Sequence, residues 1–159
     1  MAAKRYLFTP GPTPVPPEVL AAMAQPIVHH RSPDFRPLFV QTLKRLRDVF
    51  RTTSDVLLFS ASGTGAMESA VANLCGPGSR VVVVSAGNFG DRWIDLTSRY
   101  GCDVHVVRYE WGEVPAPDDL AAKLSELGDA RAVFLTQSET STGVVAPIQA
   151  LAAAARPSG

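Results

Sequence analysis

The sequence predicts an α/β protein of three layers, with helices on both faces of a mostly parallel sheet. Short apolar runs rich in β-formers alternate along the chain with helical patterns, an order that calls for right-handed βαβ units. One run, Val81-Val82-Val83-Val84, is unbroken and β-branched, as expected of a strand buried on both faces. The loops after these runs are dense in glycine and hydroxyl residues, which suits ligand binding at the carboxyl edge of such a sheet.

Residues 1–17 hold Thr9-Pro10-Gly11-Pro12-Thr13-Pro14-Val15-Pro16-Pro17. Proline lacks a donor and fixes its own φ, so this stretch reads as an extended arm. A short helix is expected over residues 18–24. Ser32 and Pro33 are a favourable helix start, and that helix should run to about Arg51. Its apolar stripe is Phe35, Leu38, Phe39, Leu43, Leu46, Val49 and Phe50. Lys44, Arg45, Arg47 and Asp48 cover its wet side. Residues 56–59, Val-Leu-Leu-Phe, are too short for a helix and are expected to form a buried strand. The next helix offers Met67, Val71, Leu74 and Cys75 to one face, and Gly76-Pro77-Gly78 stops it. A second strand is expected over residues 80–85. That strand ends in the loop Ala86-Gly87-Asn88-Phe89-Gly90-Asp91-Arg92, and a helix then runs to Tyr100, ended by Gly101. A third strand covers 103–109, and a helix with an acidic first turn covers 118–127. The fourth strand is expected over 132–137. It opens into Ser138-Glu139-Thr140-Ser141-Thr142-Gly143, and Pro147 starts a last helix over 148–155.

The totals bound the function. The 159 residues are one domain's worth of chain, with 15 Lys+Arg against 15 Asp+Glu. No basic run points to nucleic acid. No apolar stretch approaches a membrane span, and the N-terminus lacks the apolar segment of a signal peptide. Cys75 and Cys102 have no metal-ligand spacing and fit a reduced, cytoplasmic protein. His29, His30 and His105 form no ligand pattern with them, so no metal is expected.

The chemistry centres on residues 56–75. A strand, a small-residue turn and a helix present free backbone N–H groups and a positive dipole end. Ser62 and Thr64 add hydroxyls, and Gly63 admits a close ligand. The stretch reads as a phosphate cradle. A turn of this kind also serves simply to pack a helix close to a sheet. There is no Gly-Lys-Ser/Thr and no Gly-x-Gly-x-x-Gly spacing, which excludes the two commonest nucleotide cradles. Three loops should open on one edge: Ser62-Gly63-Thr64, Asn88-Phe89-Gly90 and Glu139-Thr140-Ser141-Thr142. Together they suit a flat aromatic phosphate ester.

Five pieces of the chain, in this order, resemble the class V aminotransferases of the serine–pyruvate and alanine–glyoxylate type. They are Thr9-Pro10-Gly11-Pro12-Thr13, His30-Arg31-Ser32-Pro33-Asp34-Phe35, Ser62-Gly63-Thr64-Gly65-Ala66-Met67-Glu68, Ala86-Gly87-Asn88-Phe89-Gly90-Asp91-Arg92 and Glu139-Thr140-Ser141-Thr142-Gly143-Val144. The resemblance implies pyridoxal phosphate as cofactor on a fold-type-I scaffold. It implies that Ser62, Gly63 and Thr64 hold the cofactor phosphate, that Phe89 stacks on the ring, and that Thr140 lies near the ring oxygen. Glu139 and Ser141 would shape that loop. Gly11 would help close the substrate pocket, and Arg31 would be a structural partner. The substrates implied are a small amino acid, alanine or serine, and a 2-oxo acid, glyoxylate or pyruvate. The implied assembly is a homodimer.

The chain departs from that family in its lysines. Lys4, Lys44 and Lys123 are its only ones, and none matches the Schiff-base position. The acidic partner of the ring nitrogen is not present either. Residues 1–30 are therefore expected to be an arm with a short helix, and 31–159 an incomplete cofactor-binding large domain, inactive by itself. A non-catalytic phosphate-binding remnant, a cysteine desulfurase-like or lyase relative, and a nucleotide-binding α/β domain are the alternatives.

Overall fold

The computed structural model describes residues 6–156. Lys4 and residues 157–159, which close the sequence after the last helix, lie outside that range. The chain forms two compact units, Met1–Ser60 and Ala61–Gly159.

In the first unit, helix α1 spans Pro17–Met23 with proline at its first position, where a missing N–H costs nothing. Helix α2 spans Phe35–Phe50, two residues later than Ser32 and Pro33 led us to expect. Those two sit in a separate turn, in which the Phe35 N–H donates to the Ser32 carbonyl at 3.2 Å. The reason is Pro37. A helix begun at Pro33 would need an N–H from residue 37, whereas a start at Phe35 keeps Pro37 within the first turn. The helix ends with Arg51 in the left-handed region, φ 49°. Phe35 and Phe39 stack with ring centroids 5.6 Å apart. The expected apolar stripe exists, but none of its residues is buried.

The strand expected over residues 56–59 is not formed. Those residues join no sheet among the described residues, and Leu57 is 83% exposed. An apolar run becomes a strand only when a neighbour takes up its backbone groups, and no described residue does so.

The second unit carries helix α3 (Gly63–Leu74), strand β1 (Arg80–Ser85), helix α4 (Asn88–Arg99), strand β2 (Asp103–Arg108), helix α5 (Pro117–Leu127), strand β3 (Ala132–Phe134), strands β4 (Ser138–Glu139) and β5 (Val144–Val145), and helix α6 (Ile148–Ala154). The main sheet has the order β2-β1-β3, and both pairings are parallel. Strand β1 is central, and its valines divide by the pleat. Val82 and Val84 pack with Leu120 of α5 and Leu151 of α6. Val81 and Val83 pack with Val71 of α3 and Leu96 of α4. Period-two alternation with both faces covered is the expected three-layer arrangement. Each fully buried valine contributes roughly 1.5–3 kcal/mol.

Two differences bear on the site. Strand β3 stops at Phe134, opposite Val83, so residues 135–137 leave the ladder. Strands β4 and β5 form an antiparallel pair too short for a period to reveal. Their turn is closed by Gly143, φ 77°, whose N–H donates to the Glu139 carbonyl at 2.9 Å. Helix α4 lies tight on the end of β1, because a Cβ on Gly90 would come 2.6 Å from the Ser85 Cα. Side chains reinforce this seat. The buried Ser85 hydroxyl donates to Asp91 at 2.8 Å, and Arg108 of β2 donates to the same oxygen at 2.8 Å.

Burial alone would push the Asp91 carboxyl up; hydrogen bonds from Ser85 and Arg108 outweigh it and hold the group below its ordinary range. A depressed carboxyl contributes stability above its unfolded pKa, about 3.9, and that contribution is lost as pH falls through the folded value. Asp91→Asn should therefore lower the thermal midpoint at pH 7, and the gap should close below about pH 4. Equal midpoints at pH 7 would remove Asp91 from the account of how α4 is seated.

Candidate functional site

The carboxyl edge of the sheet gathers three segments: the start of α3, the turn between β1 and α4, and the stretch after β3. Among the described residues, the helix starts there are in opposite states.

Helix α4 has its first donors filled. The Asn88 N–H donates to Ser141 Oγ at 3.0 Å. The N–H groups of Phe89 and Gly90 donate to Glu139 Oε2 at 3.0 and 3.1 Å. The other carboxylate oxygen, Oε1, accepts the Ser141 hydroxyl at 2.5 Å and the Ser141 N–H at 3.3 Å. Glu139 is 4% exposed. Its charge is thus fully hydrogen-bonded and meets the positive end of the helix dipole. Glycine makes this approach possible, since a Cβ on Gly87 would lie 2.6 Å from Glu139 Cγ and 2.7 Å from Ser141 Oγ.

Helix α3 is open. Ser62 precedes it in extended conformation and makes no side-chain cap. The Gly65 N–H donates to the Ser62 carbonyl at 2.9 Å, while the N–H groups of Gly63 and Thr64 have no acceptor among the described residues. A Cβ on Gly63 would meet nothing within 4 Å. Thr64 Oγ1 accepts a hydrogen bond from Arg92 Nη1 at 3.0 Å. The same guanidinium lies 4.7 Å over the centroid of the Phe89 ring, a contact that fixes both groups. Phe89 and Arg92 are three apart on α4 and so share a face. Both lie in the piece Ala86-Gly87-Asn88-Phe89-Gly90-Asp91-Arg92, but the sequence assigns Arg92 no role there, and only the helical spacing hints at the pair.

A cleft of about 350 Å³ opens beside this cluster, with Met67, Phe89, Trp93, Leu135, Gln137 and Thr140 among its walls. Trp93 is held by Phe134 of β3, with centroids 4.8 Å apart. The structure therefore brings together Phe89 and Thr140 at the cleft and Thr64 beside Phe89 through Arg92. Ser62 and Gly63 begin the helix that supplies Met67. Gly11 belongs to the first unit, where a Cβ on it would meet nothing within 4 Å.

The remaining chemical groups lie elsewhere. Cys75 and Cys102 are free and pack on the Val71–Leu96 cluster, at the edge of the sheet opposite the cleft. Lys44 is exposed on α2, and Lys123 of α5 pairs with Glu126 at 2.7 Å. Among the described residues no group of three or more His, Cys, Asp or Glu could hold a metal ion. No helix among them is long and apolar enough to cross a membrane.

An α/β unit with an aromatic cleft at its carboxyl edge can be set beside known proteins. The family model for aminotransferase class-V matches residues 5–159. The chain belongs to that family, whose members are pyridoxal-phosphate-dependent aminotransferases on fold type I. It is 38% identical over 154 residues to L-aspartate–glyoxylate aminotransferase of Paracoccus denitrificans, covering 95% of this chain and 39% of the relative. It is 38% identical over 151 residues to serine–glyoxylate aminotransferase of Arabidopsis thaliana, covering 93% and 38%. Among solved structures it is similar to a subgroup IV aspartate aminotransferase of Thermus thermophilus, with TM-score 0.85, 39% identity, and coverage of 94% of this chain and 42% of that one. The chain thus spans about two fifths of the length of these relatives.

The closeness of Glu139 to α4 has a direct consequence. Gly87→Ala should destabilise the protein by about 1–3 kcal/mol through overpacking, read as a lower midpoint in urea. An unchanged midpoint would mean that the Glu139 loop shifts at no cost.

Proposed function

We propose that this chain supplies the cofactor-phosphate and ring-stacking part of an aminotransferase. That enzyme would move an amino group between alanine or serine and glyoxylate or pyruvate, with pyridoxal phosphate as cofactor. The observation that carries this reading is the pairing of an open helix start with a clamped aromatic ring. Gly63 and Thr64 carry N–H groups with no described acceptor, and Arg92 joins Thr64 to Phe89.

The residues present fit the cofactor. A phosphate needs several donors and positive potential. The N–H groups of Gly63 and Thr64, the hydroxyls of Ser62 and Thr64, and the Arg92 guanidinium are of that kind. A pyridine ring needs an apolar face, which Phe89 supplies, and its ring oxygen needs a donor, which Thr140 supplies. When bound, the cofactor supplies an electron sink for the charge that develops beside the transferred amino group. The chain's own part is to bind and orient. The phosphate donors fix one end of the ligand, Phe89 sets its plane, and Trp93 and Met67 keep water from one wall. Gly11 is proposed to help close the substrate pocket. Residues 1–30 would be an arm, and 31–159 part of the large domain.

We propose a cytoplasmic homodimer as the working form. Free Cys75 and Cys102 suit a reducing compartment. Exposed Leu57, Leu58 and Phe59 favour a covering surface.

The test is amino transfer by the protein expressed from its native gene, with alanine, serine and aspartate offered in turn against glyoxylate and pyruvate. Glycine formed from glyoxylate, with alanine or serine as donor, is expected. Phe89→Ala should weaken pyridoxal phosphate binding by up to about tenfold, the worth of one aromatic stack. Absence of product with every pair, together with no binding of pyridoxal phosphate, would sink this reading.

A further inference from the structure

We propose that Glu139 is a positioning residue of this site. Its carboxylate sets the offset between Phe89 and Thr140 and reserves the start of α3 for the ligand's anionic group. The inference rests on the cofactor reading above.

Glu139 is joined to both residues that would flank the ring. Thr140 follows it in the chain, and the Phe89 N–H donates to its Oε2 at 3.0 Å. One buried side chain therefore connects two walls of the cleft that are 51 residues apart in sequence (140 less 89). The two oxygens divide the work: Oε2 accepts from α4 at Phe89 and Gly90, and Oε1 accepts from Ser141.

The chemistry demands an acceptor at both oxygens. A glutamine has one oxygen and one NH₂. In either orientation its NH₂ would face N–H donors, those of Phe89 and Gly90 or that of Ser141. In the second case the Ser141 hydroxyl oxygen, which already accepts from Asn88 at 3.0 Å, has a lone pair left for that NH₂, but the Ser141 N–H loses its acceptor. A carboxylate accepts at both oxygens and leaves none of these N–H groups without a partner.

The same carboxylate fills the positive end of α4. An anionic ligand arriving at the edge meets a negative side chain at α4 and unfilled N–H groups at α3. Glu139 thus separates the two jobs, ring placement on its own side and anion binding at Gly63 and Thr64.

The experiment compares the parent protein with Glu139→Gln, using pyridoxal 5′-phosphate and inorganic phosphate as probes. Affinity is read from quenching of Trp93 fluorescence, ring orientation from the circular dichroism induced in the bound cofactor, and phosphate affinity from competition. The expected result is about a tenfold loss of pyridoxal phosphate affinity, as for a lost charge-assisted hydrogen bond, with a diminished induced signal and an unchanged competition constant for phosphate. An unchanged affinity and signal in the variant would overturn the proposal, as would equal losses for both probes, which would mark a general weakening of the fold. If Glu139→Gln does not fold, Ser141→Ala decides, with a smaller loss in the same direction expected and no loss refuting. Failure of the parent to bind pyridoxal phosphate would instead strike the cofactor reading, so the two failures are distinguishable.

Discussion

Strand β1 carries the constraint on which everything else rests. It is the only strand among the described residues with a parallel partner on each side, and four successive valines on it are buried to 4% exposure or less. A run buried on both faces must have helices above and below. Even-numbered valines commit α5 and α6 to one side, and odd-numbered valines commit α3 and α4 to the other. With that sidedness settled, the starts of α3 and α4 face the same edge, and the loops after β1 and β3 meet there.

Where β1 ends, its backbone must turn within a few residues into α4, and that turn runs through Gly87 and Gly90. Both glycines sit where a Cβ would strike Glu139, Ser141 or Ser85. Close packing therefore explains them, and not a left-handed backbone: Gly87 is extended at φ 165°. The space at Gly87 is filled by the Glu139 side chain from a distant loop, and that at Gly90 by Ser85. Cation and aromatic ring then follow from helix spacing alone, Phe89 and Arg92 lying on one face of α4.

Much of this was legible in the sequence, for reasons that separate by range. The valine run, the proline and glycine breaks and the helical periods report local physics, and α1, α5 and α6 fall within a residue or two of their expected places. Helix α4 instead begins at Asn88, inside the stretch 86–92 expected as a loop, because Ser141 and Glu139 take up its first N–H groups. Residues 56–59 have the composition of a strand, yet composition cannot supply a partner, and none is present among the described residues. The start of α2 was misplaced because Pro33 looked like a first-turn proline while Pro37 occupies that role. The hairpin of β4 and β5 has two residues per strand, below the length at which alternation can be read. In the site, Ser62, Gly63, Thr64, Phe89 and Thr140 announced themselves as residue types in suggestive loops. Arg92 did not, and Glu139 was legible only as a residue shaping its own loop, since their further meaning lies in contacts that span 28 residues and about fifty residues.

The charges at the starts of α3, α4 and α5 point to one direction of approach. Helix α4 begins with Asp91 in its first turn and Glu139 against its N–H groups. Helix α5 begins with Asp118 and Asp119. Helix α3 has no acidic residue in its first turn, and its nearest ionised contact is the Arg92 guanidinium on Thr64. A dipole end already matched with a carboxylate has little left to offer an anion, whereas one flanked by a cation and bare N–H groups retains its full potential. Of the long helices beginning near the cleft, α3 is thus the one prepared for a phosphate. The filled start of α4 is part of that preparation, because it leaves an incoming anion a single favourable place to settle.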